Sequence, residues 1–156
     1  MSEARTPAKI HSSSWHEMHR EAVDLAGRLA ACGPYRGIVA ISRGGLVPAA
    51  IVARVLGIRL VETLCISSYD GEIKGPLEVL KTASSEVGDG DGWILIDDVA
   101  DTGSTAEAAR RMLPRARYAT LYTKPAGQPF VDTFIRLVDQ DVWIDFPWDR
   151  DPAPKA

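Results

Sequence analysis

Ile94-Leu95-Ile96-Asp97-Asp98-Val99-Ala100-Asp101-Thr102-Gly103-Ser104-Thr105 is the stretch from which the rest of this chain is read. With Trp93 in front, its apolar start reads as a buried strand. The residues after it, with Ala106, Ala109, Met112 and Leu113 before Pro114, read as a helix. Acids, small residues and hydroxyls fill the turn between the two. A turn at a helix start leaves backbone N–H groups unpaired at the positive end of the helix dipole. With the hydroxyls of Thr102, Ser104 and Thr105, it makes a site for a phosphate monoester over Asp97 to Thr105. Gly103 lets the backbone approach closely. Asp97 and Asp98 suit vicinal sugar hydroxyls or a Mg²⁺ held through water, with Asp98 as the expected metal position. Helix capping explains any one of these residues but not the whole set.

Working outward, the chain alternates strands with helices. Ser14 and Glu17 form a capping box, and Trp15, Met18, Ala22, Leu25, Ala26 and Leu29 give one apolar helix face that ends at Cys32-Gly33-Pro34. Gly37 to Ser42 is a short apolar run, consistent with a strand covered on both faces. Leu46 to Leu56 reads as a helix closed by Gly57, and Arg59 to Ile66 returns to strand. Residues 67–76 read as a mobile surface loop and Ser84 to Gly92 as a polar turn, with further strands over Tyr118 to Thr123 and Phe134 to Val138. The expectation is a single α/β domain over residues 14–149, built on a mainly parallel sheet flanked by helices. A loose segment, 1–13, precedes it and a charged, proline-rich tail, 150–156, follows. Ligand sites in such folds gather at the carboxyl ends of the strands.

Composition narrows the function. Eighteen basic residues against 21 acidic ones give a net charge of -3, which offers no general attraction to nucleic acid. Cys32 and Cys65 are expected as reduced packing residues. The apolar stretch Leu46 to Ala53 is far short of the roughly 20 residues of a membrane span, so no transmembrane segment is expected and the cytoplasm is the default address. His16 and His19 lack further ligands nearby and read as solvated. Gly88, Gly90 and Gly92 do not fit a dinucleotide fingerprint, and neither a P-loop nor a nucleophile elbow is present.

The twelve residues from Ile94 resemble the ribosyl-pyrophosphate signature of the type I phosphoribosyltransferases. Ser42-Arg43-Gly44-Gly45-Leu46-Val47-Pro48, Cys65 to Asp70, Lys124-Pro-Ala-Gly127 and Trp143 to Asp149 extend the likeness to the purine members that use xanthine and guanine. The resemblance implies that fold, with a small base-binding hood and a flexible loop. It implies a Mg²⁺-dependent transfer of the phosphoribosyl group of phosphoribosyl pyrophosphate to xanthine or guanine, with hypoxanthine left open, giving XMP or GMP and pyrophosphate. On it, phosphoribosyl pyrophosphate is bound by Arg43, Gly44, Ser68, Tyr69, Lys74 and the run Asp97, Asp98, Val99, Ala100, Asp101, Thr102, Gly103, Ser104 and Thr105. Asp101 is the catalytic acid/base and also faces the purine. Lys124 donates to the 6-oxygen, Trp143 stacks on the ring and Ile144 offers its backbone carbonyl. The peptide Arg43–Gly44 is often cis in the family. Ser104 stands where a glycine is frequent, which adds a donor.

Family members are usually tetramers, and a homotetramer is the expectation. Some associate peripherally with the inner membrane, a contact that no basic amphipathic helix in this sequence demands. The rival from another class is a regulatory protein of the same fold that senses phosphoribosyl pyrophosphate without catalysis. That reading calls for a basic face or a DNA-binding appendage, and the sequence has neither.

Overall fold

The structure, a computed structural model, describes residues 9–67 and 77–150. Its elements are β1 (Lys9–Ser12), α1 (Trp15–Ala30), β2 (Gly37–Ser42), α2 (Leu46–Leu56), β3 (Val61–Ser67) and β4 (Glu78–Lys81). They continue with β5 (Trp93–Ala100), α3 (Ser104–Met112), β6 (Arg117–Thr123), β7 (Thr133–Leu137) and β8 (Val142–Asp145). A six-stranded sheet has the order β4-β3-β2-β5-β6-β7, parallel except for the antiparallel edge strand β4. This is the expected α/β architecture. The expected loop over 67–76 lies outside the described residues, apart from Ser67 at the end of β3.

Period-two alternation in the two central strands makes two cores. Ile38 and Ala40 of β2 and Ile94 and Ile96 of β5 pack with Leu25, Leu29 and Val52 of α1 and α2. The alternate residues Val39, Ile41, Trp93 and Leu95 pack with Ala106 and Ala109 of α3. Both faces being covered, these strands read in sequence as unbroken apolar runs.

Several expectations need correction. The segment before Ser14 is not wholly loose, because Lys9–Ser12 forms β1 and pairs in parallel with β8, as Ile10↔Trp143 and His11↔Ile144. Four residues with an exposed, polar pattern carry no strand signal of their own, so this strand exists through its partner. Trp15 is half exposed instead of lying on the buried face of α1, and its ring meets Trp148 edge to face at 6.1 Å. Cys32 is exposed instead of packed, because α1 ends just before it. The capping box is one-sided: Ser14 Oγ accepts from Glu17 N at 3.0 Å, while the Glu17 carboxylate accepts from Arg136 at 3.0 Å.

The Glu17 contact belongs to a polar cluster that ties the β1–β8 pair to the main sheet. Buried Glu21 accepts from Tyr122 Oη at 2.7 Å and from Arg136 Nε at 2.6 Å. His11 Nε2 lies 3.3 Å from the same tyrosine hydroxyl. Removing the Glu21 carboxylate leaves a buried hydroxyl and a half-exposed guanidinium without their acceptor. Glu21→Ala is therefore expected to lower stability by about 2 to 3 kcal/mol in urea unfolding, more than a surface Glu→Ala change.

Candidate functional site

The order of the strands reverses between β2 and β5. From β2 the chain steps outward to β3, and from β5 it steps the other way to β6. Crevices of this kind, at the carboxyl ends of the strands, are where open α/β sheets bind ligands. β2 delivers Arg43 and Gly44 to it, and β5 delivers Asp97, Asp98 and Asp101. Arg43 is exposed, as a pyrophosphate ligand requires. A Cβ at Gly44 would overlap the Asp98 carboxylate, so only glycine lets the two loops meet. Here the bond that is cis is Ser42–Arg43, a non-proline peptide one bond before the Arg43–Gly44 bond expected from the resemblance.

Asp97 and Asp98 both accept from backbone, Asp97 Oδ1 from Asp98 N at 2.8 Å and Asp98 Oδ1 from Val99 N at 2.7 Å. Burial holds the Asp97 carboxyl well above the usual range, and the neighbouring Asp98 charge adds to this. Burial also raises Asp98 to about 6, against the pull of its hydrogen bonds from Asp97 and Val99; the charge of Asp149 raises it further and Trp148 lowers it. No ion pair among the described residues neutralises either carboxylate. Two adjacent carboxylates, Asp97 buried and Asp98 partly so, without an ion-pair partner among the described residues, offer hard oxygen donors of the kind a divalent cation such as Mg²⁺ takes.

β5 runs to Ala100, four residues past Ile96, so Val99 and Ala100 stand in the ladder opposite Tyr122 and Thr123. The turn proper is Asp101–Gly103, and α3 starts at Ser104. Gly103 has φ 87°, and a Cβ there would lie 2.7 Å from the Ala126 carbonyl oxygen, so glycine is required on both counts. Thr102 Oγ1 lies 3.2 Å from Ser104 Oγ, which places the hydroxyls together at the start of the helix. Asp101 does not cap that helix. Its Oδ2 accepts from Lys124 Nζ at 3.0 Å, and its Oδ1 accepts from Gln140 Nε2 at 3.1 Å.

Lys124 is only 4% exposed, yet it follows directly on β6 and its amine reaches the site beside Asp101. A lysine is rarely buried to this degree unless a partner holds it. On β8, Trp143 is 57% exposed and Ile144 is buried. An exposed tryptophan on a two-stranded ribbon is a stacking surface and not a core residue. Ser68, Tyr69 and Lys74 lie outside the described residues. Two residues had no assigned role in the sequence reading, Gln140 and Asp149. Both are distant in sequence from the groups they affect; Asp149 closes the Trp143–Asp149 segment of the resemblance, which gave it no role, and Gln140 belongs to no pattern that would mark it.

Residues 35–154 match the phosphoribosyl transferase domain. The chain belongs to the phosphoribosyltransferase family. It is 55% identical over 152 residues to a xanthine-guanine phosphoribosyltransferase of Nitratidesulfovibrio vulgaris, covering 97% of this chain and 91% of that protein. With the xanthine-guanine phosphoribosyltransferase of Desulfotalea psychrophila the identity is 53% over 144 residues, covering 92% of this chain and 88% of the relative. The fold matches a purine phosphoribosyltransferase from Pyrococcus horikoshii with a TM-score of 0.77 at 24% identity, over 95% of this chain and 99% of that one. No helix among the described residues is long and apolar enough to cross a membrane.

For this family member the acidic pair sets a pH dependence with a definite sign. Because burial raises both carboxyls, the folded state favours their protonated forms. The stability they contribute is full below the ordinary carboxylate value of about 4, and the part that Asp98 contributes is lost as pH rises through about 6. Asp98→Asn keeps the acceptor for Val99 N but carries no charge. In metal-free buffer near pH 8 it is expected to melt about 2 to 5 °C above wild type, with the difference vanishing near pH 4, by differential scanning calorimetry.

Proposed function

We propose that this chain transfers the 5-phosphoribosyl group of phosphoribosyl pyrophosphate to a 6-oxopurine, xanthine or guanine, with hypoxanthine left open, releasing pyrophosphate. The observation that carries this reading is the convergence of three groups. The Asp101 carboxylate and the buried Lys124 ammonium, 3.0 Å apart, meet at the phosphate-type turn that opens α3. The relatives named above for xanthine and guanine support the choice of base.

On this reading the 5′-phosphate sits on the first turn of α3, among the amides and the hydroxyls of Thr102, Ser104 and Thr105. Asp97 and Asp98 accept from the ribose hydroxyls. Mg²⁺ held at Asp98, with Asp97 and Asp149 close by, would screen the negative charge of the pyrophosphate. Arg43, on the adjoining loop, adds a fixed positive charge where that leaving group departs. Ser68, Tyr69 and Lys74 take the role of closing over the pyrophosphate and excluding water.

In the reaction the bond between C1′ and the pyrophosphate oxygen breaks with its electron pair going to pyrophosphate. A bond from the purine ring nitrogen to C1′ forms. The proton on the purine imidazole passes to Asp101, whose carboxylate is held ready by two donors. Lys124 has three N–H donors, so one bond to Asp101 leaves others for the purine 6-oxygen. Adenine presents an amino donor at that position, and two opposed donors disfavour it. The proposal includes assembly as a homotetramer in the cytoplasm. Leu60, Val61, Val79 and Leu80, exposed around β3 and β4, offer apolar surface for subunit contact.

The test is pyrophosphate release by the purified protein with phosphoribosyl pyrophosphate and Mg²⁺, offering each purine separately. Release with xanthine or guanine and little with adenine is expected, together with its loss in excess EDTA. No release with any base, from protein that still binds phosphoribosyl pyrophosphate, would overturn the reading. Asp101→Ala is expected to lower kcat by about 10² to 10⁴, the range for loss of a general acid/base. Lys124→Ala should narrow the preference for guanine over adenine in kcat/KM.

A further inference from the structure

We propose that Gln140 is a positioning residue for this reaction, fixing the orientation in which the Asp101 carboxylate meets the purine; the inference rests on the transferase reading above. Gln140 lies in the turn that joins β7 of the main sheet to β8, a turn closed by Val142 N donating to Asp139 O at 3.1 Å. Its Nε2 donates to Asp101 Oδ1 at 3.1 Å and to the Asp101 backbone oxygen at 3.2 Å. Its Oε1 accepts from Ala126 N at 2.9 Å. The three contacts fix the amide in one orientation. Flipping it would set Oε1 against two acceptors and Nε2 against a donor.

One side chain thus joins three parts of the site that are separate in sequence: the phosphate-type turn through Asp101, the Lys124–Gly127 turn through Ala126, and the turn leading to Trp143. The carboxylate is gripped at both ends, Oδ1 by Gln140 and Oδ2 by Lys124. Each oxygen keeps a further lone pair for a substrate proton. The two grips differ in kind. Lys124 must also serve the purine oxygen, so its hold on Asp101 is shared when the base arrives. Gln140 carries no charge and has no such second duty in this reading, so it holds the carboxylate through the reaction. Small displacements of a catalytic group have large effects on rate, which is why a neutral amide remote from the substrate can matter.

The experiment compares wild type, Gln140→Ala, Gln140→Glu, Asp101→Ala and the Gln140→Ala/Asp101→Ala pair, in steady-state assays with guanine and phosphoribosyl pyrophosphate. Gln140→Ala is expected to lower kcat/KM for guanine about tenfold and to leave the KM for phosphoribosyl pyrophosphate within about twofold. In the Asp101→Ala background the same change should cost less than about twofold, since the group it acts through is gone. Gln140→Glu keeps the acceptor for Ala126 N but sets a carboxylate against Asp101. It should be slower than Gln140→Ala if Gln140 orients Asp101, and close to wild type if Gln140 only ties the turns together. Full activity of Gln140→Glu, an equal loss toward both substrates, or a full additional loss in the Asp101→Ala background overturns the proposal. If Gln140→Ala does not fold, or Asp101→Ala falls below detection, the Gln140→Glu rate decides. Wild type that releases no pyrophosphate with any purine defeats the transferase reading and this one with it. Active wild type with any of the overturning results defeats this one alone.

Discussion

Two carboxylates stand side by side in a buried crevice without a cation among the described residues to balance them, and much of the site is arranged around that constraint. Asp97 and Asp98 are carried there because β5 is a central strand covered on both faces, so its end emerges from apolar packing and not from solvent. Their charged forms are disfavoured by burial before any interaction between them is counted. Backbone amides at 2.8 and 2.7 Å offset part of that cost. What remains is a cost in stability that the protein carries at this site.

The same crowding explains the residue types across the crevice. Gly44 is dictated by the Asp98 carboxylate, and Gly103 by its positive φ and by the Ala126 carbonyl. These contacts bring the loops after β2, β5 and β6 within reach of each other. The turn at the start of α3 then lies beside Lys124, although β6 and the whole of α3 separate them in the chain. Asp101 occupies the junction, with a charged donor on one oxygen and an amide donor on the other. A group held in this way has little orientational freedom left to lose when substrate binds.

The β1–β8 ribbon is a separate two-stranded sheet held by polar contacts as well as by apolar packing. Ile144 and Phe146 enter the core, but Ile10 and Trp143 remain exposed. The cluster of His11, Glu17, Glu21, Tyr122 and Arg136 fixes the ribbon against α1, β6 and β7. Hydrogen bonds of this directional kind locate a surface element more sharply than a small apolar contact does. The ribbon carries the exposed ring of Trp143, so its placement decides where that ring lies.

The sequence by itself determined the elements whose signals are local. β2, α2, β5, α3 and β6 follow from apolar runs, helix spacing and the glycine at 57, and the acid-rich turn at 97–105 marks the site because those residue types act over a few neighbouring positions. It also put Asp101, Lys124 and Trp143 into one site through the family resemblance, and the structure brings Asp101 and Lys124 into contact. Only the tertiary structure decided what depends on partners far along the chain. β1 has no strand signal without β8, and β5 extends to Ala100 because β6 continues the ladder beside it. Trp15 is exposed because packing, not periodicity, sets which part of a helix face is covered, and Cys32 because it lies beyond the end of α1. Gln140 and Asp149 come to lie beside Asp101 and Asp98 only by folding, at separations in the chain too long for local residue spacing to show the contact.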